Sequence, residues 1–236
     1  MHRGARTTGI RPVHPRPIKL RSSQSDTAEL YSRDHHPVEF GRVLTLSDGV
    51  FAIALTLLVL SLEVPTGLPP GELGGELLNI SPMMVAFLVS VGIISLFWFS
   101  HHELFAEVNR VDHRLMWLNV AYLGLVVMIP FVQRVQGDYP LEPIAYVIFA
   151  SVLALLNFLD LIMHRHVYRK RLLDRQWSRR RYRTEIRRGI VLTTGFLISI
   201  PLSFLLVNFT IFLWILLIPI DQLVKRRGMS AEPKHV

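Results

Sequence analysis

Residues 42–60 read RVLTLSDGVFAIALTLLVL, an apolar run interrupted near its start by Ser47 and Asp48. From Leu44 to Leu62 the run is long and apolar enough to cross a bilayer, which takes about 20 residues. A carboxylate inside a spanning helix costs roughly 2.5–3.5 kcal/mol on insertion scales, so it normally marks a site or has a partner. The run therefore predicts a first transmembrane helix with an acidic group that has a role.

The rest of the chain has a membrane-protein composition. Half of its 236 residues are hydrophobic, and they lie in continuous blocks separated by polar segments. The net charge of +8 would suit nucleic acid, but the basic residues cluster in alternate links, which a membrane topology explains better. The chain has no Cys, no Gly-rich phosphate loop and no Ser/His/Asp catalytic signature. We therefore expect no nucleic-acid partner, no cofactor and no enzymatic activity.

The apolar blocks predict an all-α integral membrane protein with six transmembrane helices. The last block, 189–220, is too long for one span, so we divide it near Val207 and Asn208. The six predicted spans are 42–62, 82–104, 114–134, 142–164, 189–206 and 208–224.

The polar segments complete the predicted organisation. Residues 1–38 form a disordered basic arm, residues 39–224 the membrane domain, and residues 225–236 a polar tail. The arm lacks the apolar core of a secretory signal, although its Arg content without early acids also fits an organellar transit peptide.

The distribution of charge predicts the orientation. With six spans, all but one of the 26 Lys and Arg residues lie on the same side as the termini, and the exception is Arg134. The positive-inside rule then places both termini in the cytosol. The most basic segment is the cytosolic link 164–188. It would bind anionic lipid headgroups, at about 1 kcal/mol per basic residue near the surface, or serve only as a solvated connector.

The first span carries a periodic stripe. Gly49, Ile53, Thr56 and Leu60 follow i, i+4, i+7 and i+11 and fall within about 60° of the helix surface. Such a stripe is typical of a helix-packing seam, in which a small residue allows close approach. A pore-lining helix in a symmetric oligomer needs the same stripe, so the periodicity alone leaves both interpretations open.

Asp48 lies on another face of this helix. It is roughly 140° from Ile53 by the same arithmetic, so it should face neighbouring helices. We interpret it as a tether between helices, with an ion-binding carboxylate as the alternative. The expected partners at the same depth are Arg42, Trp98, His101, His102 and Asn119.

The histidine pairs do not predict a metal site. Adjacent side chains such as those of His101 and His102 point about 100° apart on a helix, and no i, i+4 His pair with a carboxylate base occurs. We expect these histidines to be interfacial or hydrogen-bonded. Asn157 and Asp160, on the fourth span, are expected to link helices or to lie at the membrane interface.

The motif of the first span resembles that of a known family. Arg42, Ser47, Asp48 and Ala52 fit the pattern Arg-x3-Phe-Ser-Asp-x3-Ala/Ser of the transmembrane-protein-175 family of potassium channels, with Leu46 in place of Phe. The stretch from Trp98 to His102 is also similar, and the resemblance extends over about residues 40–225.

The resemblance implies a potassium-selective channel without a carbonyl filter. It places the narrowest, hydrophobic ring of the pore at Ile53 and the next pore-facing positions at Thr56 and Leu60. It also implies a homotetramer, and a multi-pass location in a bacterial plasma membrane. An apolar ring of this kind is able to gate by dewetting.

The competing class is a membrane carrier or a structural subunit, in which the stripe is a packing seam. Carriers usually place charged or unwound helices at the midplane, whereas the middle of this first span is uninterrupted and apolar.

Overall fold

The computed structural model describes residues 23–63 and 66–229. Two compact units are distinguished, 1–36 and 37–236. Of the first unit, only the helical backbone of residues 23–36 is described. The remainder of the architecture concerns the second unit.

The regular structure of the described ranges is helical. Helix α1 is followed directly by a 3-10 turn, Val59–Ser61, and a single β-bridge joins Val108 to Leu173. The seven α-helices are α1 Ser23–Leu58, α2 Leu73–Asn79, α3 Ser81–Ala106, α4 His113–Asp138, α5 Pro143–Lys170, α6 Arg179–Leu205 and α7 Val207–Met229.

Five helical segments are long and apolar enough to cross a membrane. They are Gly41–Ser61, Ser81–Ala106, His113–Asp138, Pro143–Lys170 and Arg179–Leu205. Each coincides with one of the first five predicted spans. Helix α7 covers the predicted sixth span but is not among these five, in a search confined to the described residues.

The helix ends differ from the predicted boundaries on the basic side. Helix α5 continues to Lys170 and α6 begins at Arg179, so only residues 171–178 of the predicted link 164–188 lie between helices. Caps set these ends: Arg171 adopts a left-handed conformation with φ 54°, and the Ser178 side chain accepts a hydrogen bond from the Arg181 amide. A hydropathy profile does not detect either of these two helix caps.

The N-terminal boundary also differs. Residues 23–38, predicted as part of a disordered arm, are helical and continuous with the first span. Residues 1–22 of the predicted arm lie outside the described residues.

Helix α5 is at the centre of the packing and α1 is at its edge. Half of the residues in the most apolar stretch of α5 are buried, against 22% of those in the corresponding stretch of α1. Glycines on α6 allow its neighbours to approach closely: a Cβ atom at Gly189 would clash with Leu161 of α5, and one at Gly195 with Leu217 of α7. Helices α5, α6 and α7 are therefore tightly packed, whereas α1 packs on the rest of the chain through one side only.

Helices α6 and α7 form a hairpin with a one-residue turn at Leu206. The Leu206 amide donates to the Leu202 carbonyl at 2.7 Å, and the Phe209 amide to the Leu206 carbonyl at 2.9 Å. These bonds satisfy the backbone at the turn from within the chain, as a non-aqueous environment requires. The side chains at the turn are apolar and open, with Leu205 79% exposed.

Candidate functional site

Helix α1 packs on the rest of the chain through one narrow face. Phe51 is central to it, with its ring centroid 5.7 Å from that of His101 and 6.1 Å from that of Tyr122. The spacing i, i+4, i+7, i+11, i+14 is that of a helix-packing seam. The buried residues of this face are Ser47, Phe51, Ala54, Leu58 and Ser61.

The predicted stripe lies on the opposite face of α1. Ile53 is 60% exposed and Leu60 is 64% exposed, and Gly49 and Thr56 are also exposed. At 100° per residue the centres of the two faces are about 150° apart. The seam that packs within the chain is thus a different set of residues from the stripe, which is exposed.

Thr56, one turn C-terminal to Ile53 on α1, is the polar residue of this stripe. Its hydroxyl donates to the Ile53 carbonyl at 2.8 Å, which leaves the lone pairs of the hydroxyl oxygen on the open face. A shallow groove at the other end of the stripe is lined by Arg42, Leu46 and Ile53. Arg42 is therefore on the stripe side, and it does not join the residues around Asp48 as the sequence suggested.

Asp48 is bound by α3. Its Oδ1 accepts a hydrogen bond from Trp98 Nε1 at 2.9 Å and lies 3.4 Å from His102 Nδ1. The rings of Trp98 and His102 are themselves 5.3 Å apart. This geometry supports the interpretation of Asp48 as a tether between α1 and α3, on a face away from the stripe.

A second polar group beside it joins α1 to α3 and α4. Asn119 Nδ2 donates to Ser47 Oγ at 3.2 Å, and Asn119 Oδ1 lies 2.7 Å from His101 Nε2. Since the Asn119 oxygen is an acceptor, His101 carries its proton on Nε2. His101 Nδ1 is buried without a hydrogen-bond partner among the described residues, which fits the neutral ring. Ala52, the last residue of the motif, is exposed on α1.

Asp48→Ala should weaken the attachment of α1. It removes the acceptor of the Trp98 hydrogen bond, so we expect the free energy of unfolding to fall by about 1–2 kcal/mol. The yield of assembled protein should fall with it, and the ion selectivity expected from the resemblance should stay unchanged. Thermal unfolding in detergent and ion flux in liposomes measure the two quantities. Asp138→Ala, in an exposed pair with Arg134, is the control. A well-assembled Asp48→Ala protein with lost selectivity would assign the carboxylate to permeation instead.

A buried ionic group not predicted from the sequence joins α6 to α7. Arg188 Nε donates to Asp221 Oδ1 at 2.9 Å, Arg188 Nη2 to Asp221 Oδ2 at 2.8 Å, and Arg188 Nη1 to Glu185 Oε2 at 2.7 Å. The charge pattern alone puts Arg188 in a basic connector and indicates no role for Asp221. The available signal was Asp221 itself, an acid near the end of an apolar block.

The two polar residues of α5 also link helices. Asn157 Nδ2 donates to the Gly189 carbonyl and to Thr193 Oγ1 of α6, both at 2.6 Å. Asp160 Oδ2 accepts from Ser100 Oγ of α3 at 3.2 Å and lies 3.3 Å from His164 Nδ1. The geometry favours the interhelical alternative for both residues over the interfacial one.

The loops on the basic side are bound by further polar contacts. Asp112 caps α4 through the Leu115 amide and lies 2.7 Å from His166 Nε2. Burial raises the pKa of the Asp112 carboxyl, but the Leu115 amide and His166 outweigh it and hold the pKa below its usual value. Glu107 accepts from Trp177 Nε1 at 2.6 Å and pairs with Arg181. Arg181 is thus engaged by the chain, as Arg188 is.

The described residues contain no group of three or more His, Cys, Asp or Glu placed to hold a metal ion. His101 and His102 instead make the separate contacts given above. His166 is bound to Asp112, and His164 lies beside Asp160.

The arrangement is that of a multi-pass membrane protein in which one face of α1 is exposed. A model of the family described as the endosomal/lysosomal potassium channel TMEM175 matches residues 42–130. This match confirms the resemblance carried by Arg42, Ser47, Asp48 and Ala52. Residues 42–130 are thus similar to a family described as a potassium channel, and this similarity favours an ion channel over an enzyme.

Two curated relatives and one solved structure extend the match. A protein named a potassium channel from Streptomyces collinus is 41% identical over 117 residues, which is 50% of this chain and 57% of the relative. The human endosomal/lysosomal proton channel TMEM175 is 30% identical over 132 residues, 52% of this chain and 26% of the relative. The chain thus spans under two thirds of the length of these relatives.

The solved structure is a crystal structure of a lysosomal potassium-selective channel TMEM175 homologue from Chamaesiphon minutus. Its TM-score is 0.69 at 26% identity, and the match covers 81% of this chain and 99% of that one. The fold extends beyond residues 42–130 to most of the chain.

Proposed function

We propose that the chain is a potassium-selective channel that conducts passively through a homotetrameric pore lined by α1. The observation that carries this proposal is the exposed stripe of Gly49, Ile53, Thr56 and Leu60, opposite the face through which α1 packs on its own chain. Four copies of α1 around an axis would bring four such stripes together.

The stripe has the chemistry of a narrow cation pathway. Ile53 would form an apolar ring that resists hydrated ions, and Leu60 a second ring. Between them, four Thr56 hydroxyl oxygens would form a polar ring, since their protons are directed to the Ile53 carbonyls. Potassium is favoured over protons as the conducted ion because the bacterial relative, at 41% identity, is named a potassium channel.

The alternative, a carrier or structural subunit with a packing seam, is weakened by the same observation. The seam within the chain is formed by Phe51, Ala54 and Leu58, and the stripe takes no part in it. An axial contact between copies would use both Gly49 and Thr56, the small and the polar residue of the open face.

The proposed topology has six spans with both termini in the cytosol. Helix α7, Val207–Met229, supplies the sixth span and returns the chain to the basic side. A bacterial plasma membrane is the proposed location.

Tags placed after residue 30 and at Val236 should be inaccessible from outside intact cells, and a tag near Gly71 should be accessible. The physical reason is the concentration of basic residues on one side. Protease accessibility in cells and in inverted vesicles measures this. A cytosolic Gly71 would contradict the six-span topology.

The link 164–188 is proposed to contact anionic lipid headgroups. Arg181 and Arg188 are bound to acidic residues of the chain. Other basic side chains of the segment, including Arg169, Lys170, Arg175 and Arg183, are exposed. They would contact the headgroups electrostatically, in addition to setting the topology.

Flux in liposomes tests the proposed function. Purified full-length protein is reconstituted with a potassium gradient, and flux is followed as potassium, sodium or N-methyl-D-glucamine is supplied outside. A channel gives fast, passive potassium flux that needs no coupled ion. Flux that depends on a second ion, with slow saturation, would identify a carrier, and no flux from folded tetramers would identify a structural subunit.

A further inference from the structure

Helices α3, α5, α6 and α7 enclose a small cavity to which α1 contributes no residue. Its polar lining consists of Ser100, Asn157, Asp160, Glu185, Arg188 and Asp221, and Trp214 lies against it. Its volume is about 30 Å³, and a water-sized particle needs about 10–15 Å³ of such space. The cavity therefore has room for about two particles of this size.

Two polar atoms of residues lining this cavity lack a partner. Asp160 Oδ1 and Trp214 Nε1 are buried and have no hydrogen bond within the described part of the chain. Asp160 is 6% exposed and Trp214 is 1% exposed. The other oxygen of Asp160 is already used by Ser100. A buried carboxylate oxygen without a partner is costly, and so is an unpaired indole N–H, which indicates that the cavity holds something polar.

The charged residues around the cavity indicate the chemistry of its polar occupant. Three carboxylates line it, those of Asp160, Glu185 and Asp221, against the single guanidinium of Arg188. That guanidinium is engaged by Asp221 and Glu185 and leaves Asp160 uncompensated. His164 Nδ1 lies 3.3 Å from Asp160 Oδ2, and the three carboxylates outnumber the two basic side chains, Arg188 and His164.

The ion pairs near the cavity do not supply the missing positive charge. Lys225 is bound to Glu103, and Arg181 to Glu107, so each of these cations has its own carboxylate. Buried charges need a compensating charge, and the excess in this cluster is negative.

We propose that this cavity binds one alkali-metal cation, held by Asp160 Oδ1 and Ser100 Oγ together with water. Carboxylate, hydroxyl and water oxygens are the ligands that hard cations take. The site is separate from the α1 stripe, so it stands whether or not α1 lines a pore. A bound cation would join α3 to α5 and thereby stabilise the bundle against which α1 packs.

Thermal unfolding in detergent tests this site. The full-length protein is titrated with KCl or NaCl, with N-methyl-D-glucamine chloride keeping the ionic strength constant. We expect a saturable rise in Tm with an alkali cation, because a ligand that binds only the folded state stabilises it by mass action.

Asp160→Asn keeps the shape of the side chain and the Ser100 contact but removes the charge. It should raise the half-saturating concentration at least tenfold, and Ser100→Ala should raise it by less. Glu63→Gln, an exposed carboxylate paired with Arg134, should leave it unchanged.

Two results would overturn the proposal. One is a Tm that responds equally to every salt, which would mean that water alone fills the cavity or that a carboxyl there is protonated. The other is an Asp160→Asn protein with the full response to potassium, which would place the cation elsewhere in the protein.

If Asp160→Asn does not fold, crystals of the unchanged protein in rubidium decide the matter. An anomalous peak in contact with Asp160 Oδ1 supports the site, and its absence at saturating rubidium contradicts it. Neither readout depends on conduction, so failure of this site and failure of the proposed channel are distinguishable.

Discussion

In the proposed pore, Ile53→Ala should raise potassium conductance and lower the potassium-to-sodium permeability ratio by about tenfold, equivalent to about 1.4 kcal/mol between the two barriers. The side chain is 60% exposed on the face of α1 that does not pack within the chain. Four Ile53 side chains around an axis would form a narrow apolar ring, and shortening each to Ala widens it. Ile53→Asn should act in the same direction, because it wets the ring. Flux in liposomes, normalised to tetramer content, measures both variants.

Val59→Ala is the matched control for this prediction. Val59 is an exposed aliphatic residue on the same stretch, but its side chain points about 100–120° away from Ile53. It should leave both conductance and selectivity unchanged.

A packing seam between copies predicts a different result for Ile53→Ala: lower stability, with flux unchanged or reduced. If Ile53→Ala preserves the ratio while variants of Thr56 or Leu60 shift it, the constriction is on another turn of α1. If none of the three positions affects it, α1 does not line a pore.

Arg188→Met should destabilise the protein more than Asp48→Ala does. It leaves Asp221 and Glu185 buried without their cation, which typically costs about 3–5 kcal/mol. Unfolding of the purified protein by a denaturing detergent measures the loss. Arg134→Met is the control, because Arg134 forms exposed pairs with Glu63 and Asp138 worth about 0–1 kcal/mol.

A combined variant tests whether the loss of stability comes from the uncompensated buried charges or from the missing Arg188 side chain itself. Arg188→Met with Asp221→Leu and Glu185→Gln removes the uncompensated charges, and well-packed apolar replacements of buried ion pairs are often neutral. It should therefore recover most of the stability. An Arg188→Met protein as stable as Arg134→Met would show that the buried pair contributes little.

Much of the fold was predictable because hydropathy and length determine which helices cross a membrane. The first five spans coincide with helical segments for that reason. The ends of α5 and α6 were not predictable in this way, because Arg171 and Ser178 set them by local backbone geometry. Helix α2 was not predicted either, since seven residues within a Gly- and Glu-containing link give no clear period.

The site was predictable where a single helix decides the geometry. The helical period of 100° per residue puts Asp48 on a different face from the stripe, and the structure places Trp98 and His102 beside Asp48. The same arithmetic places Arg42 about 120° from Asp48, so its assignment as a partner was inconsistent with the periodicity. The Arg188–Asp221 pair was beyond such reasoning, because its register depends on the position of the turn at Leu206.

The turn at Leu206 determines how the α6–α7 hairpin responds to bilayer thickness. From Gly189 to Leu205 the apolar part of α6 rises about 25 Å, whereas a typical hydrocarbon core is about 30 Å thick. The apolar tip, with Leu205 largely exposed, would therefore lie just inside the far edge of the hydrocarbon core. A thicker membrane changes little around such a tip, whereas a thinner one pushes it towards the headgroups. Hydrophobic mismatch would thus act asymmetrically on this hairpin and favour membranes with long acyl chains.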